Sequence, residues 1–143
     1  MPIIEWNVTL MLGITLIDQQ HQHLVQLLNK AYDDFREGVD VPASVIAELI
    51  DSSNLHFAYE ETLMADCSYP KTAEHKNEHQ LFSGRVLELH KKYQQGANVS
   101  IELLWFLCNW VTHHIRETDA DLARFLDVCN IRKRLQKQQP ITP

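Results

Sequence analysis

The sequence predicts an all-α protein: an up-down-up-down antiparallel four-helix bundle with an extended N-terminal arm and a short C-terminal helix. Three observations carry this. Four stretches of roughly 20 residues place apolar residues at spacings of three and four, the period of a core-facing helix stripe. The connections between them are short and punctuated by Gly38, Pro42, Pro70 and Gly96, which suits antiparallel neighbours. Histidines and carboxylates interrupt the inner stripes near alternating helix ends, a pattern that antiparallel packing gathers at one level.

Residues 1–17 show no sustained helical period. Trp6, Leu10, Leu12, Ile14 and Leu16 read as an extended arm with apolar contacts, and Gly13 is free to bend it. Asp18 is the expected N-cap of a first helix from Gln19 to Glu37, closed by Gly38. Its stripe is His21, Leu24, Leu28, Ala31 or Tyr32, and Phe35. A second helix starts at Pro42, where proline's fixed φ suits a first turn, and runs to about Ala65. Its stripe of Ile46, Leu49, Ser53, His56, Glu60 and Leu63 puts a carboxylate in the core, which is costly unless it is paired or bound to a metal. A third helix follows Pro70 and ends near Gly96, with His75, His79, Phe82, Val86, Leu89 and Tyr93 inward. Ser100 is the expected N-cap of the fourth, whose stripe of Leu103, Leu107, Trp110 and His114 leads into Ile115 and Asp119. Leu122, Phe125, Leu126 and Leu135 suggest a terminal helix laid on the bundle. The whole chain, 1–143, reads as one domain: arm 1–17, bundle core 18–119, C-terminal extension 120–143.

The formal net charge of −6 argues against nucleic acid or an anionic membrane as a main partner. No apolar run approaches the ~20 residues that span a bilayer, which argues against direct membrane insertion. A secretory signal is not evident at Met1–Glu5, so the expected compartment is the cytoplasm. Cys67, Cys108 and Cys129 are an odd number without a C-x-x-C, and small buried thiols are expected rather than a disulfide.

Eight histidines stand out. His56 with Glu60, and His75 with His79, are i, i+4 pairs that each aim two donors from one helix face. His21 lies near the start of the first helix and His114 near the end of the fourth, so the antiparallel bundle brings all of them to one end. With Asp119 the set is His21, His56, Glu60, His75, His79, His114 and Asp119. A single zinc takes about four ligands, so these seven imply two metal ions. With octahedral coordination at both, the five imidazoles, two bridging carboxylates and one bridging oxide or hydroxide fill every position but one. Such a site binds a small molecule at one ion. The donor types suit iron, with manganese, cobalt or zinc also open. Five residues separate His114 from Asp119, about 140° round an ideal helix, so either Asp119 reaches back or a π-type bulge intervenes.

These residues carry a resemblance to the hemerythrin family, specifically its single-domain bacterial members, the bacteriohemerythrins. The matching pieces are Trp6, Gly13-Ile14, Ile17-Asp18-Gln19-Gln20-His21, His56-Phe57-Ala58-Tyr59-Glu60-Glu61, Tyr69-Pro70 with His75 and His79, and Trp110 through His114-Ile115 to Asp119. They span nearly the whole chain. The resemblance implies a non-haem centre of two iron ions, bridged by an oxo or hydroxo group, that binds dioxygen reversibly. It implies His75, His79 and His114 on the saturated iron, His21 and His56 on the iron with the open position, and Glu60 and Asp119 as bridges. By position, the O₂ pocket is lined by Leu24, Phe57, Trp110, Val111 and Ile115, residues that equally suit an ordinary bundle core. Val111 departs from the leucine that many members carry three residues before the corresponding histidine.

His23, His90 and His113 fall off the inner stripes or far from the ligand level and read as solvated; Glu61 reads as an outer neighbour of the site or as surface. Reversible dioxygen storage, transport or delivery is the leading function, with an O₂-consuming client enzyme or membrane protein as the partner class it requires. The alternatives are a sensor of O₂, nitric oxide or redox state, a di-iron oxidase, and peroxide or iron handling. No Glu has a His three residues later, and neither a Gly-rich phosphate loop nor a nucleophile elbow is present, so an enzyme is not expected.

Overall fold

Helix α1 begins earlier than the sequence predicts, at Thr15, and runs to Arg36. Asp18 therefore lies in its first turn, and its carboxylate reaches back to accept the N–H groups of Leu12 and Gly13 at 2.8 and 3.0 Å. A residue expected to cap the helix instead ties down the chain that precedes it. Gly13, at φ +84°, supplies the left-handed bend that makes this possible. Asn29 pins the arm further up, accepting from Ile4 N–H at 3.0 Å and donating to Ile4 O at 2.9 Å. A single 3₁₀ turn at Val8–Leu10 buries Leu10. The computed structural model describes the backbone of residues 3–138 and the side chains of residues 3–130.

Helix α2 covers Ala43–Asp66, α3 Thr72–Gln94 and α4 Ser100–His113. A π-turn at His114–Asp119 joins α4 to α5, Ala120–Gln138, so the last three elements form one helical run. The described residues contain no strand. Helix α1 packs on α2 and α4, α2 on α3, and α3 on α4, the ring order of the predicted bundle. Leu135, expected in the terminal helix, has a side chain outside the described set. Ser100 does not cap α4: its hydroxyl accepts from Val41 N–H at 3.0 Å, linking two connections, and Asn98 Oδ1 takes the Ser100 N–H at 3.1 Å.

The core falls into two apolar clusters. The larger fills the bundle with Leu28, Ala31, Ile46, Leu49, Phe82, Val86, Leu89, Leu103 and Leu107. The smaller, built on Ile17, Met64, Tyr69, Leu122 and Leu126, closes the end where the predicted ligands gather. In α2 it is Met64, fully buried, that fills this cluster, while Leu63 is only half-buried.

All three interhelix connections open with the same pair of hydrogen bonds, each closing a helix through a left-handed residue. Gly38 N–H meets Phe35 O and Val39 N–H meets Asp34 O; Gly96 and Ala97 repeat this with Tyr93 and Lys92. After α2 the left-handed residue is Ser68, at φ +52°, with Ser68 and Tyr69 N–H on Ala65 and Met64 O.

The cysteines correct the sequence reading. Cys67, in the α2–α3 turn, is disulfide-bonded to Cys129 in α5, with Cα atoms 6.1 Å apart; only Cys108 is free. The two lie 62 residues apart, and they meet only because the apolar face of α5 folds back over that turn.

Candidate metal centre

Each element delivers its donors for a local reason. Helix α1 presents His21 in its second turn. The i, i+4 geometry of α2 stacks His56 on Glu60, and that of α3 stacks His75 on His79. In the fourth run an α-helix would swing Asp119 away from His114. The π-turn inserts one extra residue into the turn and brings both side chains inward. The five-residue spacing is thereby explained as a bulge and not as a long reach. All seven side chains are 3% exposed or less.

The imidazole Nε2 atoms crowd the two carboxylates. His21 Nε2 lies 2.9 Å from Asp119 Oδ2, and His75 and His114 Nε2 each lie 3.0 Å from Asp119 Oδ1. Glu60 Oε1 is 2.5 Å from His56 Nε2 and 3.7 Å from His79 Nε2, with His75 Nε2 3.4 Å from Oε2. Yet both oxygens of Glu60 and of Asp119, and the Nε2 atoms of His75, His79 and His114, find no properly oriented hydrogen-bond partner. Buried polar atoms in this number are normally satisfied. Donor atoms packed together without donating to one another fit a cation that accepts all their lone pairs.

The geometry resolves into two overlapping groups whose donor atoms lie within 4.8 Å of one another: Glu60, His75, His79, His114 and Asp119, and then His21, His56, Glu60 and Asp119. Both carboxylates belong to both groups. The imidazoles divide three and two.

In the metal-free chain, protons do part of the work of cations. Burial pushes the His75 imidazole down, but Asp119 and Glu60 outweigh it and raise it from 6.5 to about 9. His114 is likewise depressed by burial and raised overall, to about 10, by Asp119, Glu78 and Glu60. For His79, burial and its neighbours His114 and His75 outweigh the pull of Asp119 and lower it to about 2. Burial pushes the Asp119 carboxyl up, and the field of His114, with the His21 and His75 rings close by, holds it well below the usual range. Metal uptake must therefore displace protons.

Of the residues expected to line a small-molecule pocket, Leu24, Phe57, Val111 and Ile115 are buried and Trp110 is half-buried. Phe57 stacks on the His79 ring at 3.9 Å and Trp110 on the His114 ring at 4.2 Å. Both aromatic rings thus brace imidazoles of the three-histidine group.

The outward nitrogens reveal residues that sequence reasoning missed. His56 Nδ1 lies 2.6 Å from Gln20 Oε1, and His114 Nδ1 lies 3.4 Å from Glu78 Oε1. Thr118 Oγ1 donates to Glu78 Oε2 at 2.7 Å. Adjacency was the available signal: Gln20, Glu78 and Thr118 each immediately precede a predicted ligand. Glu61, read as an outer neighbour or surface, sits 3.3 Å from His79 Nδ1. The excluded histidines lie elsewhere. His23 and His113 are exposed beside Glu48 and Glu117, and half-buried His90 lies on α3 well beyond the ligand level.

Comparison with known proteins converges on one group. Residues 12–126 match the Hemerythrin HHE cation binding domain. A bacteriohemerythrin of Pseudomonas aeruginosa is 41% identical over 117 residues, covering 80% of this chain and 76% of the relative. One from Stenotrophomonas maltophilia is 37% identical over 125 residues, covering 86% and 81%. Among solved structures, a crystallised hemerythrin variant superposes with a TM-score of 0.78 at 27% identity, covering 88% of this chain and 98% of the other.

Proposed function

The chain belongs to the hemerythrin family, and on that premise we propose that it binds dioxygen reversibly at a pair of iron ions, for oxygen storage, transport or delivery. One observation carries the reading: the two donor groups share Glu60 and Asp119 but hold three imidazoles and two. In this assignment His75, His79 and His114 saturate one ion. His21 and His56 would hold the other with a position left open, and Glu60 and Asp119 would be shared between the two. When bound, the iron pair supplies the electrons that hold dioxygen and recovers them on release.

The residues of the chain do the rest. Glu60 and Asp119 offset the positive charge of two cations in a site that excludes water, where an unpaired ion is costly. The i, i+4 pairs and the π-turn aim the donors of each helix toward one another, which limits the reorganisation that metal binding requires. Leu24, Val111 and Ile115 form the dry wall that admits an apolar diatomic while excluding the water and external protons that would release the ligand irreversibly. Phe57 and Trp110 lock the rings of His79 and His114. Val111 leaves one methylene fewer in that wall than leucine would. A Val111→Leu variant is expected to autoxidise more slowly than the natural chain, and equal rates would remove Val111 from the pocket.

Hemerythrin family members are mainly non-enzymatic oxygen-binding proteins, and no catalytic role is assigned here. The proposed setting is the cytoplasm, where an O₂-consuming client enzyme or membrane protein would receive the gas. There the Cys67–Cys129 bond would face a reducing thiol pool. No helix among the described residues is long and apolar enough to cross a membrane. Sensing is the second reading, favoured by the helical run that leads from Asp119 directly into α5.

The test is an iron count followed by anaerobic reduction and repeated O₂–vacuum cycles under an absorption spectrometer. Two irons per chain and a charge-transfer band that comes and goes over many cycles support the proposal. A single irreversible conversion with release of peroxide replaces it with oxidase or detoxification chemistry.

A further inference from the structure

The outward nitrogens of the buried imidazoles are held by unlike chemistry on the two sides of the centre. On the three-histidine side, His114 faces the Glu78 carboxylate and His79 faces the Glu61 carboxylate. On the two-histidine side, His56 faces the neutral Gln20 amide oxygen. His21 and His75 have no hydrogen-bond partner at Nδ1. An Nδ1–H that donates to a carboxylate fixes the tautomer and makes the opposite nitrogen a stronger donor. A neutral amide oxygen fixes the tautomer with less of that electronic effect.

Glu78 is the better built of the two carboxylates. Its second oxygen takes the Thr118 hydroxyl at 2.7 Å, so both oxygens are engaged. Thr118 belongs to the π-turn that also presents His114 and Asp119. The same local widening that turns Asp119 inward therefore places a hydroxyl against α3, and Glu78 spans from α3 to both residues. The carboxylate sits at the edge of a cavity of about 130 Å³ lined by Tyr69, Lys71, Glu74, His75 and Asp121. Contact with solvent there lowers the cost of keeping a charge so close to the core. Glu61 is steadied less closely, by Lys76 at 3.9 Å.

We propose that Glu78, latched by Thr118, is a positioning residue that fixes the His114 ring and strengthens its donor atom, and that with Glu61 it makes the three-imidazole ion the tighter held and the harder to reduce of the pair. This rests on the di-iron reading above. It extends that reading by assigning unequal roles to the two metals from groups that touch neither.

The experiment uses the full-length iron-loaded protein and its Glu78→Gln, Thr118→Val and Thr118→Ser variants. Two quantities are read: iron retained over time against a competing chelator, and the anaerobic midpoint potential. Glu78→Gln keeps the side-chain shape and removes the charge. It is expected to lose one iron per chain about 10-fold faster or more, the usual scale for removing an outer partner of a ligand histidine. Its potential should rise, by about 59 mV for each tenfold change in a one-electron equilibrium. Thr118→Val should move both readings the same way by less, and Thr118→Ser, which restores the hydroxyl, should return them to the natural values. A purely structural role for Glu78 would leave the potential in place. If natural protein holds two irons and Glu78→Gln matches it in retention and potential, the positioning role is wrong and the di-iron reading stands. If the natural protein holds no iron, both fall.

Discussion

The two ends of the bundle are held together by different forces. Away from the centre, Leu28, Ala31, Ile46, Leu49, Leu89 and Leu103 are almost fully buried among one another, and the two connections there close on glycine. At the other end the helices meet around seven buried polar side chains, five of which (Glu60, His75, His79, His114 and Asp119) turn inward donor atoms that lack hydrogen-bond partners. A small apolar cluster, a disulfide and a serine-closed turn surround them. The first end is stabilised chiefly by the exclusion of water from apolar side chains. The second carries an electrostatic cost that folding by itself does not offset, so its order depends on what binds there and on covalent help. The difference separates an apolar scaffold from a candidate metal site whose inward polar atoms a cation would satisfy.

The most severe way to break that contrast is to strip the metal. Chelated protein should lose about 2.7 kcal/mol or more, the linkage expected when free ion stands at 100 times its dissociation constant. Amide exchange should accelerate around His56–Glu60, His75–His79 and the π-turn, with little change around Leu49, Leu89 and Leu103. Uniform acceleration along the helices would erase the distinction between the ends. Next in size is the covalent support. Cys129→Ser opens a loop closed across a separation of 62 residues, and loop-closure entropy puts the loss at about 4 kcal/mol. Melting of oxidised natural protein against the variant measures it; equal midpoints would show that the bond adds nothing.

The third test uses pH on stripped protein. His75 and His114 hold protons in the folded chain up to about 9 and about 10, while unfolded imidazoles release theirs near 6.5. Between those values the folded state binds more protons, so stability is complete below pH 6.5 and falls as pH rises toward 10. His79, lowered to about 2, acts oppositely: its contribution is present above 6.5 and is lost as pH drops below it. Stripped protein should therefore melt highest near pH 6.5, and iron-loaded protein should not decline in step above it. A flat profile for the stripped form would contradict the protonated arrangement. The smallest change concerns the turn. Ser68→Gly relieves a left-handed non-glycine residue and should raise stability by about 1 kcal/mol or less, since glycine's greater unfolded freedom offsets part of the gain.

Much of this was legible in the sequence because one helical period governs both the core and the ligands. His56, Glu60, His75 and His79 occupy positions that apolar residues would otherwise take, so the stripes that predict the helices also predict the gathering. The His114–Asp119 spacing left two ways to bring both side chains inward, a long reach by Asp119 or a bulge, and the π-turn is the one the chain uses. What stayed hidden depends on contacts between elements. Asp18 and Ser100 both carry cap chemistry, but each finds its partner outside its own helix. Cys67 and Cys129 become neighbours only once α5 lies across the α2–α3 turn, and the pairing leaves no trace in local pattern. Glu78 and Thr118 are ordinary helix-surface residues until the π-turn aligns them.

The disulfide has a consequence for the unfolded chain. It turns residues 67–129 into a covalent ring that contains His75, His79, His114 and Asp119 and leaves His21, His56 and Glu60 on a free strand. Between His79 and His114 the sulfur bridge offers a second and shorter route, so their local concentration with respect to each other is raised even without structure. A metal ion that met the oxidised chain before it folded would encounter His75, His79 and His114 already confined together with Asp119. On the proposed assignment, the connectivity would give assembly of the oxidised chain a direction: the half bearing His75, His79 and His114 would gather inside the ring, and the segment bearing His21 and His56 would close over it afterwards.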